Sequence, residues 1–200
     1  MSILGFIKKL AIPDPTAQLK KEHDRFRALL DQAKKTTERS ALKRKKIFLE
    51  FSTLLSLHET VEEKVVYAAL KKHAETKSIV LEGVQEHHLA DLLIAELNKM
   101  DVSDPDWGSK FHVMGEGVEH HLEEEEKKMF PQVKSILSEK ELVNVFKRMD
   151  AIRNSPAIPQ RSLKVPRTTT ISAKKPKPAT SGTVKKINKK PMKSSKKAKA

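Results

Sequence analysis

The chain contains no cysteine, which excludes disulfide bonds, thiolate metal sites and cysteine nucleophiles. Its apolar runs all fall short of the roughly 20 residues that a membrane-spanning helix needs. The apolar stretch at residues 3–7 is too short for the core of a signal peptide, and its lysines follow it instead of preceding it. These absences predict a soluble cytoplasmic protein with no transmembrane segment.

Acidic residues are missing from the end of the chain. All 26 aspartate and glutamate residues and 25 of the 40 lysine and arginine residues lie in residues 1–150, whereas residues 151–200 hold the other 15 basic residues and no aromatic residue. Such a composition cannot bury enough apolar surface to offset the entropy lost on folding. We therefore expect an N-terminal segment (1–15), one folded domain (16–151) and a disordered Lys/Pro-rich tail (152–200).

The first 150 residues show helical periodicity and little of the alternation that strands show. The pattern predicts four long helices, over about residues 15–35, 41–72, 76–100 and 105–131, the last with a kink at its final proline, and a shorter fifth helix that ends near residue 153. Short linkers between long helices favour antiparallel neighbours. The predicted fold is all-α: an up-down-up-down four-helix bundle plus a short fifth helix.

Capping residues mark the starts of the predicted helices. Asp14 and Asp104 each combine an N-cap with a proline at the first helical position. Ser40 is placed to cap the second helix, and Ser138 with Glu141 fits a capping box.

One pattern of helix residues occurs twice. Residues 58–68 and 121–131 share a histidine, three residues, Glu-Glu-Lys, two residues and an aromatic side chain. Each copy follows an earlier Glu-His pair, at His23 and at His87, with an offset of 64 residues between the first histidines and 63 between the second. A duplicated helix pair with one histidine per helix is how a bundle places imidazoles and carboxylates around buried metal.

Steps of three and four residues put these histidines on the inward stripe of each helix. Apart from His, Glu and Asp the stripes are apolar, and no Lys or Arg lies on them. A buried carboxylate is costly unless it is paired, so several of them together need a cation. The predicted inward residues are Leu19, His23, Phe26, Leu30 and Ala33; Phe51, Leu54, His58, Glu62, Val65 and Ala69; Val80, Val84, His87, Asp91 and Ile94; and Phe111, Met114, Val118, His121, Glu125 and Met129.

Four imidazoles and two or more carboxylates form the predicted metal site. When residues are counted along antiparallel helices, the four histidines lie within one or two helical turns of the same height along the bundle. That spread suits two metals about 3.5–4 Å apart. Without sulfur ligands, iron, manganese and zinc are the candidates, and a bundle with this ligand mix favours a di-iron or di-manganese centre. Each glutamate lies four residues after a histidine; the set is His23, His58, Glu62, His87, His121 and Glu125.

The sequence resembles the hemerythrin-like HHE cation-binding domains over about residues 16–151. The resemblance depends on Lys-Glu-His-Asp at residues 21–24, His-x-x-x-Glu-Glu from His58, Glu-His-His at 86–88, and His-His-x-x-x-Glu-Glu from His120 followed by Met-Phe-Pro at 129–131. It implies a four-helix bundle with two non-haem irons and metal-ligand roles for the six residues named above. Related members bind dioxygen, sense oxygen, iron, redox state or nitric oxide, or store iron.

The chain departs from the oxygen-carrying hemerythrins in two places. Their third helix carries two histidines four residues apart, where this chain has His87 and Asp91. Their last helix carries an aspartate five residues after its histidine, where this chain has Glu126. A five-histidine site with one open position is therefore not expected, and Glu59, Asp91 and Glu126 remain candidates for further ligands.

Alternatives stay open for the histidine of the fourth helix and for the overall function. His120, with Glu124 four residues on, is the main rival of His121, whereas His88 is expected at the surface or outside the ligand set. The sequence predicts a non-enzymatic metal protein that senses or buffers oxygen, redox species, nitric oxide or iron. A di-iron oxidase or peroxidase-type enzyme, or a DNA-compaction protein with the bundle as a scaffold, would fit the same residues.

The predicted tail is similar to the lysine-rich tails of histone-H1-like proteins. Its lysines would contact phosphates as point charges and bind nucleic acid in a salt-sensitive way. It offers no aromatic residue to stack on bases, so base specificity is not expected. Such binding would associate the protein with the nucleoid; the alternative is a solubilising extension without a partner.

Overall fold

The computed structural model describes residues 12–155, which form five helices and no strand. Helix α1 spans Pro15–Lys34. Helix α2 begins as an α-helix at Ala41–Val61, passes through a π-helical turn at Glu62–Val66 and ends with Tyr67–Leu70.

Helix α3 spans Lys77–Leu97, and the short helix α5 spans Glu139–Arg153. Between them, α4 has the same three-part build as α2: Pro105–Glu124, a π-helical turn at Glu125–Met129, and Phe130–Ile136. The all-α prediction is confirmed. The fourth helix does not end at its proline as expected, because that proline falls in the first turn after the π-helical turn, where a missing N–H costs little.

Contacts between neighbouring helices show that the long helices alternate in direction. In each pair of helices, a later residue on one helix meets an earlier residue on the other, which gives the up-down-up-down arrangement. The pairs are Glu22–His58 and Arg25–Glu50 between α1 and α2, Glu86–His121 and Glu96–Lys110 between α3 and α4, and Asp14–Lys134 and Arg27–Glu119 between α1 and α4.

Three of the four predicted caps are present. Asp14 and Asp104 accept hydrogen bonds from backbone N–H groups of their helices' first turns, and Ser138 forms the capping box with Glu141. Ser40 directly precedes α2, but its side chain makes no capping hydrogen bond to that helix. Its hydroxyl instead bonds to the backbone of the 3-10 turn that comes before it.

Two apolar clusters fill the bundle, and a polar layer separates them. The aromatic cluster contains Phe26, Phe48, Phe51, Leu55, Ala90, Trp107, Phe111, Val118 and Leu122, among others. The aliphatic cluster contains Leu19, Val61, Val65, Tyr67, Val80, Met129, Phe130, Val145 and Met149, among others. On each long helix the predicted metal-ligating residues come between residues of one cluster and residues of the other, so the bundle encloses them on both sides.

The inward stripe of α2 differs from the predicted one at two positions. Leu55 is 1% exposed and lies inward, whereas Leu54 is 36% exposed. After the π-helical turn Leu70 is fully buried and takes the place predicted for Ala69, because a π turn contains one more residue than an α turn. A plain count of threes and fours cannot anticipate that extra residue.

None of the helices in residues 12–155 is both long and apolar enough to cross a membrane. The predicted N-terminal segment (1–15) and basic tail (152–200) lie almost wholly outside the described residues.

Candidate metal centre

Six ionisable side chains from the four long helices meet in the polar layer. They are His23 on α1, His58 and Glu62 on α2, His87 on α3, and His121 and Glu125 on α4, and none of them is more than 4% exposed. The structure therefore brings together all six residues that the sequence pattern singled out.

One half of the layer, here called the α1–α2 group, consists of His23, His58, Glu62 and Glu125. One nitrogen or oxygen atom from each of the four lies within 4.8 Å of the others. His58 Nε2 is 3.2 Å from Glu62 Oε1, and His23 Nε2 is 3.4 Å from Glu125 Oε2. Two imidazoles and two carboxylates thus face a single point.

The other half, the α3–α4 group, consists of Glu62, His87 and His121. His87 Nε2 is 3.4 Å from Glu62 Oε2 and 3.0 Å from His121 Nε2. Glu62 therefore presents one oxygen to each group. Glu125 Oε2, which belongs to the first group, is also 3.8 Å from His121 Nε2, so both buried carboxylates lie between the two groups, as bridging ligands do.

Each of the four histidines places its other ring nitrogen, Nδ1, on an outer carboxylate of an adjacent helix. A carboxylate accepts the Nδ1–H, which fixes the tautomer and leaves the lone pair on Nε2, the nitrogen that faces the centre. The pairs are His58–Glu22 at 2.7 Å, His87–Glu63 at 3.0 Å, His121–Glu86 at 2.8 Å and His23–Glu126 at 2.9 Å.

Every outer carboxylate is the sequence neighbour of an inner residue. Glu22 and Glu86 precede His23 and His87, and the other two outer glutamates follow Glu62 and Glu125. Because neighbours on a helix point about 100° apart, the outer glutamate turns toward the next helix while its neighbour points inward. The contacts run from α1 to α2, α3, α4 and back to α1.

These outer residues are what the inward-stripe argument missed. The Glu-His and Glu-Glu pairs contain a signal for them, but the inward stripe of a helix includes only one residue of each pair. Glu126, which we considered as a direct ligand, instead accepts hydrogen bonds from His23 and Arg27. Glu22 is likewise paired with Arg153 of α5.

Several inward-facing atoms have no hydrogen-bond partner. Among the buried side-chain atoms of residues 12–155, those without one include His23 Nε2, His58 Nε2, both oxygens of Glu62 and Glu125 Oε2. The Nε2 atoms of His87 and His121, which carry lone pairs in the tautomer described above, face each other at 3.0 Å. Buried acceptors that face one another repel unless a cation lies between them. The donor set and its orientation therefore fit metal ions.

The electrostatics of the two inner carboxylates agree with this. Burial raises the pKa of Glu62 well above its ordinary value, and the nearby Glu125 carboxylate raises it further. Burial also acts to raise the pKa of Glu125, but the imidazoles of His121 and His23 outweigh it and lower the pKa. Two carboxylates so close in a dry interior resist ionising together, and bound cations would remove that resistance.

The outer carboxylates differ in their own partners. Burial acts to raise the pKa of Glu22, yet its hydrogen bonds with His58 and Arg153 lower it to about 2. A hydrogen bond with His121 lowers the pKa of Glu86, against a smaller effect of burial. Both outer groups are thus held as carboxylates, the form that accepts an Nδ1–H.

The two repeated aromatic residues lie against the centre. Tyr67 stacks on His87 with the ring centroids 5.5 Å apart and the planes 11° apart. Phe130 lies against His23 at 5.4 Å. The Tyr67 hydroxyl donates a hydrogen bond of 2.7 Å to Glu125 Oε1 and is 3.5 Å from His87 Nε2. Burial, then the Glu125 and Glu62 carboxylates, raise the pKa of Tyr67.

The rival positions lie elsewhere. His120 is 68% exposed and lies 4.0 Å from both Glu86 and Glu124, with which it forms a separate cluster outside the two buried groups. His88 is exposed, as expected. Glu59 and Asp91 are buried but belong to neither group.

A groove of about 700 Å³ lies between α1 and α4 and contains none of the six residues. Its floor includes Leu30, Trp107 and Phe111, and Arg27 lies on its wall. Arg27 connects this lining to the centre through hydrogen bonds, because it binds Glu126, which in turn binds His23.

Comparisons with known proteins give two results. The model of the hemerythrin HHE cation-binding domain matches residues 9–133. The crystal structure of a hemerythrin HHE cation-binding domain-containing protein from Mycobacterium kansasii superposes with a TM-score of 0.60 at 21% identity, covering 70% of this chain and 84% of that one. At this identity the second result concerns the fold alone. No curated protein matches the chain.

Proposed function

The chain belongs to the hemerythrin HHE cation-binding family, and on that basis we propose that it is a non-haem dinuclear iron protein which senses or buffers oxygen, redox species, nitric oxide or iron. The coarser part of this statement, a domain that binds metal cations, follows from the family. The nuclearity, the metal and the role are the proposal.

The ligand assignment follows the two groups of donor atoms. In the proposal His23 and His58 hold one ion, His87 and His121 hold the other, and Glu62 and Glu125 lie between them. The supporting observation is that buried donor atoms of four candidate ligands have no hydrogen-bond partner: His23 Nε2, His58 Nε2, both oxygens of Glu62 and Glu125 Oε2. A structural role for these side chains would leave no reason for unpaired acceptors at the centre of the bundle.

Iron is favoured by the donor set, although manganese or zinc would fit the same atoms. Imidazole and carboxylate donors without sulfur suit these metals, and paired iron is common in helical bundles of this type. Bound iron would supply one-electron chemistry toward dioxygen, nitric oxide or peroxide. The protein's own contribution is to orient four imidazoles through the outer carboxylates and to exclude water with the two apolar clusters.

Mixing experiments test the role. The iron-loaded protein would be reduced without air, mixed separately with dioxygen, nitric oxide and peroxide, and followed by its visible spectrum. A sensor or buffer should react with at most one or two molecules of ligand or oxidant per chain, after which its spectrum stops changing. Sustained consumption of peroxide or dioxygen over many turnovers would contradict the non-enzymatic role and favour an oxidase or peroxidase.

We also propose that the protein is cytoplasmic and that its basic tail binds nucleic acid, which would place it near the nucleoid. The support is its composition: 15 basic residues and no acidic residue after residue 150. Phosphate binding of this kind weakens steeply with salt. A full-length variant with the lysines and arginines after residue 155 changed to glutamine should lose affinity for duplex DNA. Equal affinity of the variant and the natural chain would contradict the proposal.

A further inference from the structure

We propose that Tyr67 supplies a phenolate oxygen to the ion held by the α3–α4 group, an inference that rests on the proposed dinuclear centre. Its counterpart beside the α1–α2 group is Phe130, which offers no donor atom. The two metal positions would therefore be chemically different, one with a phenolate ligand and one without.

The position of the hydroxyl is that of a ligand atom. With metal–ligand bonds of roughly 2.1 Å, neighbouring donor atoms around an octahedral ion lie about 3 Å apart. Tyr67 Oη is 2.7 Å from Glu125 Oε1 and 3.5 Å from His87 Nε2. The distance between His87 Nε2 and His121 Nε2, 3.0 Å, falls in the same range. The phenol oxygen thus extends the α3–α4 group by one donor.

The internal repeat supplies a comparison within the chain. Tyr67 and Phe130 occupy the same position in the two copies of the motif, each nine residues after its histidine. Each ring packs on the histidine of another helix, Tyr67 on His87 and Phe130 on His23. Both residues pack on a histidine through the ring, so packing explains the aromatic ring in each copy. It does not explain the hydroxyl, which only Tyr67 has.

A glycine on α3 makes room for that hydroxyl. A Cβ atom at Gly83 would lie 2.7 Å from Tyr67 Oη and 3.2 Å from Cζ, too close for either to stay in place. Gly83 is four residues before His87, and the residue four before His23 is Leu19, which is buried. The half with the phenol has a glycine where the half with the phenyl ring has a leucine.

Ligation has a defined proton balance. The O–H bond of Tyr67 breaks, its electron pair becomes the donor pair to the ion, and the proton passes to solvent. The natural protein should therefore release one more proton per chain on loading with Fe(III) than the Tyr67→Phe variant, in which no phenol is present.

Spectroscopy on the Fe(III)-loaded full chain tests the proposal, with the iron content of every sample measured in parallel. The natural protein should show a visible phenolate-to-iron charge-transfer band, with phenolate ring modes in the resonance Raman spectrum. Both should be absent from Tyr67→Phe while it retains bound iron. Gly83→Ala, which displaces the hydroxyl, should weaken or shift them, and Gly117→Ala should not, since nothing lies within 4 Å of a Cβ there.

The outcomes separate the two proposals. Two irons per chain without a phenolate signal, or with a signal that survives in Tyr67→Phe, would overturn the tyrosine ligand and leave the dinuclear centre intact. A folded natural protein that retains no iron would overturn both. Should Tyr67→Phe fail to fold, the presence or absence of phenolate ring modes in the natural protein and their response to Gly83→Ala still decide the matter.

Discussion

On α1 and α3, two neighbouring residues have different parts in the centre. In the pair Glu22-His23, the histidine faces the α1–α2 group and the glutamate binds His58 of the next helix. The same division holds for Glu86-His87, whose glutamate binds His121. A change at an outer glutamate therefore acts on the metal indirectly, through the orientation of the histidine that binds the ion.

Glu22→Gln should lower metal affinity by about 10–100-fold, the usual effect of losing a carboxylate that orients a ligating histidine. The variant removes the charge that His58 and Arg153 share in the natural chain. Competition with a chromophoric chelator measures the change. Glu123→Gln is the control, because Glu123 is on the surface of α4 and pairs with Lys127. Equal affinities in the two variants would contradict the orienting role.

His121→Ala should reduce the metal content of the folded protein to about half, because the α3–α4 group would lose one of its two imidazoles. His120→Ala should leave it unchanged, since His120 is exposed and outside both groups of the centre. Elemental analysis of the two purified variants makes the comparison. Metal loss in His120→Ala alone would show that the wrong histidine had been assigned.

Much of the inner set could be predicted from the sequence, and the outer set could not. His23, Glu62 and Glu125 stand out because a polar residue on an apolar stripe needs a partner. Glu63 and Glu126 look like ordinary surface charges on the same helices, since their position beside a histidine depends on the angle at which two helices pack. Tyr67 lies off the predicted inward stripe of its helix, so counting in threes and fours does not place it at the centre.

The two π-helical turns are a repeated feature of α2 and α4. Each begins at the inner glutamate of its helix, Glu62 or Glu125, and lies between a histidine and an aromatic residue that both face the centre. In a regular helix residues five apart point about 140° away from each other. The extra residue of the turn lets Glu62 and Tyr67, five residues apart, both face inward.

Deletion of one residue tests this explanation. Removing Lys64, an exposed residue of the first π-helical turn, should convert the turn to regular helix and cost about 1–2 kcal/mol of unfolding free energy, because the flanking faces stay aligned. Removing Thr53 from the regular part of α2 rotates one part of the helix by about 100° against the other and should prevent folding. Urea denaturation compares them; similar losses in both would contradict the explanation.

Helix starts could be predicted where a capping residue marks them. The prediction failed where no such residue marks the feature or where the candidate residue has another partner. Asp14 and Ser138 cap as expected because short polar side chains satisfy the free N–H groups of a first turn. Ser40 has the same chemistry but is engaged in the preceding 3-10 turn. The π-helical turns have no sequence signal that a three-or-four count can detect.

In the whole domain, the candidate metal centre separates the apolar core into two clusters. The aromatic cluster and the aliphatic cluster are each continuous, and the polar layer between them holds six ionisable groups almost without solvent. Such a layer weakens a metal-free bundle, because several inward-facing atoms of the inner carboxylates and imidazoles are buried without a hydrogen-bond partner. Metal binding and stability should therefore be linked.

Removing metal with a strong chelator should lower the stability of the folded protein. Binding at 100 times the dissociation constant stabilises a fold by about 2.7 kcal/mol, which for a domain of this size is a fall of roughly 5–10 °C in the unfolding midpoint. Differential scanning calorimetry with and without chelator measures it, and His58→Ala should show a smaller difference. An unchanged midpoint in the natural chain would mean that the layer is stable without ions.

Metal content per folded chain is the most direct check on the dinuclear centre. The protein, expressed in iron-containing medium and purified without chelators, would be analysed for iron, manganese and zinc alongside its helical circular dichroism. Our account predicts two ions per chain, mainly iron. Fewer than one ion per chain in fully folded protein would contradict it.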